Sequence, residues 1–236
     1  MRTCAVTDAF PRMPLPTPRG EPHKDASVTH VLHIGASPGG ADSRSLALAD
    51  AFLDAWREAH PEDTQETVDV WNLELPEFDA SMIAAKFAVL RAQNATAGQR
   101  AQWERAVRVS QQFNRADVYV FSVPMWNYGL PYRLKHYIDI VTLPGQNWRW
   151  SRDEGYQPLL GGKRAFLMYS SAGDFSEGAV TQYEDFQKPY MRQWLRFLGI
   201  ETAGEIALAP TLTDPENLAR VKEDAIGRAR RLAVQG

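Results

Sequence analysis

Short apolar runs alternate with longer segments of helical period from Val28 to the end of the chain. Runs rich in β-branched and aromatic residues predict five strands. Their predicted bounds are Val31–Ala36, Glu66–Trp71, Val118–Val123, Ala165–Tyr169 and Glu205–Leu208. The third run is apolar almost throughout, which is typical of a strand covered on both faces.

Apolar residues at helical spacing predict a helix in nearly every connection between these strands. The predicted helices are Ser45–His60, two within Asp79–Asn114 that separate near Asn94–Gly98, one carrying the stripe from Leu130 to Val141, one beginning near Pro189, and Pro215–Val234. Such alternation indicates a doubly wound α/β domain, a parallel sheet with helices on both faces. Right-handed crossovers favour the strand order 2-1-3-4-5.

Composition and net charge limit the kinds of molecule that the protein is expected to bind. The chain is 44% hydrophobic and 23% charged, as in globular domains, and its net charge of -3 is too balanced to suggest nucleic acid or an anionic membrane. No apolar run reaches the length of about 18 residues that a membrane span needs. The single cysteine, Cys4, cannot form an internal disulfide. We therefore predict a cytoplasmic protein.

Residues 1–27 differ from the rest of the chain. They contain Pro11, Pro14, Pro16, Pro18 and Pro22, and they lack the hydrophobic core of a signal peptide. This composition predicts a flexible N-terminal extension. Residues 28–236 are predicted to form the single folded domain.

Ligands of open α/β sheets bind beyond the carboxyl ends of the strands, where the strand order reverses. After the first predicted strand come Ser37, Ser43, Arg44 and Ser45, leading into a helix. Hydroxyls, backbone N–H groups and a helix N-terminus suit a phosphate. Because the dinucleotide and Walker motifs are both missing, a single terminal phosphate is the better fit. The alternative is an ordinary capped helix after a turn.

The loops after the third and fourth predicted strands adjoin the same point. Met125, Trp126, Asn127 and Tyr128 place aromatic rings beside an amide, which suits a flat heterocycle; a turn closed by the Asn127 side chain is the alternative. Small residues follow the fourth strand, where backbone could approach a ligand closely. They are Ser170, Ser171, Ala172 and Gly173.

Two segments carry a family resemblance. Pro124-Met125-Trp126-Asn127-Tyr128 and Leu134-Lys135-His136-Tyr137-Ile138-Asp139 resemble the Pro-Met-aromatic-Asn-aromatic loop and the following helix of FMN-dependent NADH azoreductases and NAD(P)H quinone oxidoreductases. The resemblance covers the chain from about Val28 and implies a flavodoxin-like fold and a homodimer. It also implies non-covalent FMN, with hydride taken from NADH and two electrons passed to quinones or aromatic azo compounds by a ping-pong mechanism.

The resemblance assigns roles to the three loops. Ser37 and the run Ser43–Ser45 would take the phosphate, Met125–Tyr128 would line the isoalloxazine ring, and Ser170–Gly173 would lie along its other side. Two segments depart from the family pattern, at three positions. Ser171-Ala172 stands where the family often has Arg-Gly, and Arg44 stands where it usually has Gln or His, which should strengthen phosphate binding.

Several residues are predicted to have no part in the chemistry. We assign no catalytic side chain and no metal site. His33 lies within a predicted strand and is expected to be packed in the core, whereas His136 is expected to face solvent or an interface. The alternatives to an enzyme are a flavodoxin-type electron carrier without its own substrate pocket, and a flavin-free adaptor of the same fold.

The connection Pro144–Gly162 is long for this kind of fold. Trp148 and Trp150 alternate within it, which predicts a small hairpin. Two interpretations stay open at this point. The hairpin could wall the pocket of the electron acceptor across a dimer interface, or it could simply pack on its own domain.

Overall fold

A computed structural model describes residues 28–91, 93–176, 178–179 and 183–236. The predicted extension at residues 1–27 therefore lies outside the described residues. Seven strands occur in the described chain: β1 His30–Gly35, β2 Thr64–Asp69, β3 Val118–Pro124, β4 Trp148–Ser151, β5 Gly155–Pro158, β6 Arg164–Ser170 and β7 Glu201–Leu208. The helices are α1 Arg44–Ala59, α2 Ala80–Leu90, α3 Ala97–Arg115, α4 Tyr132–Val141, α5 Gln187–Leu198 and α6 Pro215–Gln235.

Five of the strands form one parallel sheet in the order β2-β1-β3-β6-β7. With the hairpin strands β4 and β5 set aside, this is the predicted order 2-1-3-4-5, which is confirmed. Strands β1, β3 and β6 occupy the middle of the sheet, and β2 and β7 form its edges. The three loops of the predicted site thus follow the three central strands.

The side chains of β3 show how the sheet is covered on both faces. Val118 and Val120 pack into a cluster with α1 and α6, whereas Tyr119 and Phe121 pack into the opposite cluster with α3, α4 and α5. Consecutive side chains of a strand point to opposite faces, so an entirely apolar strand requires a helical layer on each side. The predicted two-sided burial is confirmed.

The observed bounds differ from the predicted ones mainly at the sheet edges. Strand β2 spans Thr64–Asp69 rather than Glu66–Trp71, and β7 begins at Glu201 rather than Glu205. Edge strands keep polar, partly exposed residues, so an apolar run marks only part of their length. A short 3-10 helix at Gly40–Asp42, before α1, was not predicted. None of the helices in the described ranges has the length and apolar content needed to cross a membrane.

The connection between α4 and β6 forms the predicted hairpin, β4–β5. Trp148 and Tyr156 pack on Phe197 of α5, with ring centroids 5.7 and 5.8 Å from it, and Leu160 N donates to Leu198 O at 3.0 Å. Leu198 ends α5 just before β7 begins. The hairpin therefore packs on its own domain, at the edge where the strands start, opposite to the loops of the predicted site.

Candidate functional site

The loops after β1, β3 and β6 meet at one edge of the sheet. Ala36 N donates to Ser122 O at 3.0 Å, which joins the end of β1 to β3. Met125 N donates to Ser170 O at 2.7 Å, which joins the end of β3 to β6. Since the strands are parallel and adjacent, the predicted site residues from all three loops are brought together.

The β1 loop leads into α1 through a set of hydroxyl groups. Ser43 is the N-cap of α1, and its Oγ accepts a hydrogen bond of 3.2 Å from Leu46 N. Ser45 is fully buried, with its Oγ 3.4 Å from that of Ser43, and Ser37 Oγ accepts from Gly39 N at 3.3 Å. The capped-helix alternative is therefore correct as local structure.

The same loop also has the properties of an anion cradle. A Cβ at Gly39 would lie 3.4 Å from both Ser37 Oγ and Ser43 Cβ, so glycine lets the loop fold closely over these serines. Gly40 adopts a φ of +51°, the left-handed region, with open space beside it. Exposed backbone, serine hydroxyls and the positive end of the α1 dipole fit a phosphate group.

The β3 loop is a tight two-residue turn. Trp126 N donates to Gly129 O at 3.0 Å and Gly129 N donates back to Trp126 O at 2.9 Å. Asn127 and Tyr128, at the tip, have φ values of 47° and 67°, which cost non-glycine residues about 1 kcal/mol or more each. The turn is closed by backbone, and the Asn127 side chain has no hydrogen-bond partner among the described residues. The residue is exposed at the tip of the turn.

Aromatic rings outside the predicted set complete this part of the site. The Trp71 ring, from the loop after β2, lies 5.4 Å from Trp126 and 5.3 Å from Tyr132. Trp126 and Tyr132 are both exposed. Sequence reasoning missed Trp71 because it assigned this residue to the second strand, which in fact ends two residues earlier.

The β6 loop contacts the β3 loop through aromatic side chains. Tyr128 packs against Phe175 and Tyr183, with ring centroids 6.4 and 5.2 Å apart. Ser171 Oγ donates to Gly173 O at 2.8 Å, which closes the first turn of the loop. The small residues Ala172 and Gly173 are exposed, and the Ala172 carbonyl accepts a hydrogen bond of 3.2 Å from Leu212 N.

Two buried polar residues lie directly beneath the loops. His33 Nε2 is 3.0 Å from Ser122 Oγ, and burial lowers the pKa of His33 to about 4, opposed in part by the charge of Asp69. His33 is therefore a neutral, packed core residue, as predicted. Gln187 Nε2, at the start of α5, donates to Val123 O at 3.0 Å and links α5 to the end of strand β3.

His136 has a hydrogen-bond partner within the chain. It is only partly exposed, and its Nε2 lies 3.0 Å from Pro76 O in the connection between β2 and α2. The carbonyl provides a partner within the chain that spacing on a helix could not indicate. His136 thus links α4 to that connection, and its place at solvent or at an interface stays a prediction.

Two surface grooves lie near opposite ends of the sheet. One of about 560 Å³ borders the β3 loop and is lined by residues that include Phe78, Leu130 and Tyr132. A larger one, about 880 Å³, lies between α5 and the start of β7, and neither groove is lined by a predicted site residue. We assign the site to the three loops, because ligands of such sheets bind at the carboxyl ends of the strands.

Comparison with known proteins gives consistent matches. A family described as having a flavodoxin-like fold matches residues 29–232. The FMN-dependent NADH:quinone oxidoreductase of Desulfotalea psychrophila is 38% identical over 209 residues, 87% of this chain and 98% of that protein. FMN-dependent NADH:quinone oxidoreductase 2 of Pseudomonas syringae pv. tomato is 38% identical over 205 residues, with the same two coverages. The crystal structure of an azoreductase from Bacillus anthracis is 26% identical with a TM-score of 0.80, covering 89% of this chain and all of that one.

Proposed function

The chain belongs to the flavodoxin-like family of FMN-dependent NADH:quinone oxidoreductases and azoreductases, and from this premise we propose that it is such an enzyme. It binds FMN non-covalently and uses NADH to reduce quinones or aromatic azo compounds. The observation that carries the proposal is the meeting of the three loops after β1, β3 and β6. Their donors and aromatic rings suit the two ends of a flavin mononucleotide.

Each loop has its part in holding the cofactor. Ser37 and the run Ser43–Ser45 take the phosphate at the N-terminus of α1, with Arg44 adding a positive charge. Met125, Trp126, Asn127 and Tyr128 line the isoalloxazine ring, and Asn127 offers its unpartnered amide to the polar rim. Ser170, Ser171, Ala172 and Gly173 lie along the other side of the ring.

When bound, FMN would supply the redox chemistry, namely hydride transfer from NADH and two-electron reduction of the second substrate in a ping-pong sequence. The protein orients the reactants and surrounds them with aromatic surface from Trp126, Tyr128 and Tyr132. Exposed backbone N–H groups of the loops provide fixed dipoles for negative charge that develops during reduction. No side chain of this set has to act as a tuned acid or base.

We further propose a cytoplasmic homodimer that pairs through α2. This helix is strongly apolar but buries only Met82 and Ala85, and it leaves Ile83 and Phe87 more than 40% exposed. Apolar side chains clustered on one exposed helix face are typical of a protein interface. The groove near the β3 loop is lined in part by Phe78 and Asp79, just before α2 begins, so we expect a second copy bound to α2 to lie near the site.

An electron carrier of flavodoxin type is the alternative function. Such a carrier needs an exposed flavin edge but no place for NADH or an organic acceptor. Relatives that are 38% identical to this chain are named FMN-dependent NADH:quinone oxidoreductases, which favours the enzyme.

A visible absorption spectrum of the purified protein tests the proposal. We expect flavin absorbance that is released by denaturation, and rapid bleaching on anaerobic addition of NADH, reversed by a quinone. A flavin that NADH fails to bleach would instead support the carrier. If the folded chain takes up no FMN at micromolar concentration, the proposed function is wrong. That result would support the flavin-free adaptor.

A further inference from the structure

Trp71 joins three separate segments above the sheet edge. Its indole Nε1 donates a hydrogen bond of 3.0 Å to the carbonyl oxygen of Ala36, at the start of the β1 loop. Its ring packs on Trp126 of the β3 loop and on Tyr132 of α4. One side chain from the loop after β2 thus contacts both the phosphate loop and the loop that lines the flavin ring.

The backbone on either side of Trp71 is itself fixed. Trp71 N donates to Asp69 Oδ1 at 2.9 Å. From α4, Arg133 donates through Nε to Val70 O at 3.0 Å and through Nη2 to Leu73 O at 2.8 Å. These bonds bracket Trp71 on both sides. The indole is therefore presented to Ala36 by a rigid segment.

The bond to Ala36 also orients the next residue, because a peptide unit is planar. In a trans peptide, the Ala36 carbonyl and the Ser37 N–H lie in one plane and point in opposite directions. Because the Ala36 carbonyl accepts the bond from the Trp71 indole, the Ser37 N–H points away from the indole. That N–H has no hydrogen-bond partner within the described part of the chain, so it is free to bind a ligand.

We propose that Trp71 is a positioning residue for FMN, fixing the Ala36–Ser37 peptide so that the Ser37 amide is presented to the phosphate. The proposal rests on the proposed function, since it requires an FMN site. It differs from simple packing of Trp71 against Trp126, which would support the ring end of the cofactor instead. The two roles are separable because riboflavin shares the ring of FMN but lacks the phosphate.

The test compares FMN and riboflavin binding to the full chain stripped of flavin, by titration of flavin fluorescence. Trp71→Phe keeps an aromatic ring and removes the N–H donor. We expect its dissociation constant for FMN to rise about fivefold, the effect of one lost hydrogen bond, with riboflavin affinity within about twofold of wild type.

Trp56→Phe provides the matched control. It loses a comparable bond, from Nε1 to Asp63 Oδ2 at 3.0 Å, near the opposite end of α1. Its affinities for both flavins should equal those of the wild type, even if its melting temperature falls. A similar loss in this control would trace the effect to stability and overturn the positioning role.

The outcomes separate the two proposals. If wild type binds no FMN, the proposed function fails. If wild type binds FMN but Trp71→Phe binds it equally well, or loses FMN and riboflavin affinity alike, only the positioning role fails. If Trp71→Phe does not fold, Arg133→Met replaces it, because it removes the bonds that fix the same segment. We then expect a weaker preference for FMN over riboflavin. If that preference equals the wild-type preference, the positioning role is overturned.

Discussion

His33 shows how one buried side chain makes stability depend on pH. Burial holds its pKa at about 4, against 6.5 for an exposed imidazole, while its Nε2 contacts Ser122 Oγ inside the central strands. The unfolded chain takes up a proton as the pH falls through 6.5, and the folded chain does so only near 4. Folding therefore becomes less favourable over that interval.

We expect this residue to remove about 3 kcal/mol from the free energy of unfolding between pH 6.5 and 4, with no further effect above 6.5. His33→Gln retains a hydrogen-bonding amide but cannot titrate there, so its stability should fall less steeply in the same interval. Urea unfolding of both proteins over this pH range measures the difference. Identical slopes would show that His33 takes up its proton normally in the folded protein.

The helices α1 and α3 each have a hydroxyl side chain as N-cap, but only the N-terminus of α1 lies at the proposed site. Ser43 caps α1 at the proposed phosphate site, whereas Thr96 caps α3 with a full capping box away from the three loops. A cap removed by alanine costs about 1 kcal/mol of stability. Helix capping and cofactor binding can therefore be separated.

We expect Ser43→Ala and Thr96→Ala to lose similar stability, but only Ser43→Ala to lose FMN affinity, by about tenfold, because a hydroxyl bond to a charged phosphate is lost. Thermal unfolding and FMN titration give the two values. Equal FMN affinity in both variants would remove Ser43 from the phosphate site.

The hairpin β4–β5 contains two tryptophans in unlike surroundings. Trp148 packs between Tyr156 and Phe197, while Trp150 is exposed. We expect Trp148→Ala to cost about 3 kcal/mol of stability and Trp150→Ala to cost little. If a partner subunit brings the hairpin to its site, Trp150→Ala will change the KM for a quinone. If the KM of the folded variant is unchanged, the hairpin does not line the acceptor pocket.

The order of elements could be predicted from sequence, and the contacts between them could not. A buried strand such as β3 carries its own signal, because every position is apolar. Trp71 is 35 residues from Ala36 and lies beyond the end of β2, and His136 finds its partner 60 residues away. Such contacts depend on how loops close over the sheet, which local periodicity does not encode.

For the whole molecule, the exposed face of α2 makes assembly testable. Phe87→Glu places a charge in the proposed interface, so we expect a monomer by sedimentation while the isolated fold persists. Val234→Glu, at an exposed apolar residue near the end of α6, is the control and should remain dimeric. If both variants are dimers, the dimer interface does not include the exposed face of α2.

The hydrogen bond from Trp71 to Ala36 joins the loop after the edge strand β2 to the end of the central strand β1. Strand β2 has a neighbour on one side only, so its amides should exchange with deuterium sooner than those of β1 and β3. Because Trp71 follows the end of β2 by two residues, we expect an opening that detaches β2 to weaken the bond from the indole to Ala36. By thermodynamic linkage, occupation of the phosphate loop should slow exchange along β2, a strand that the nucleotide itself need not touch.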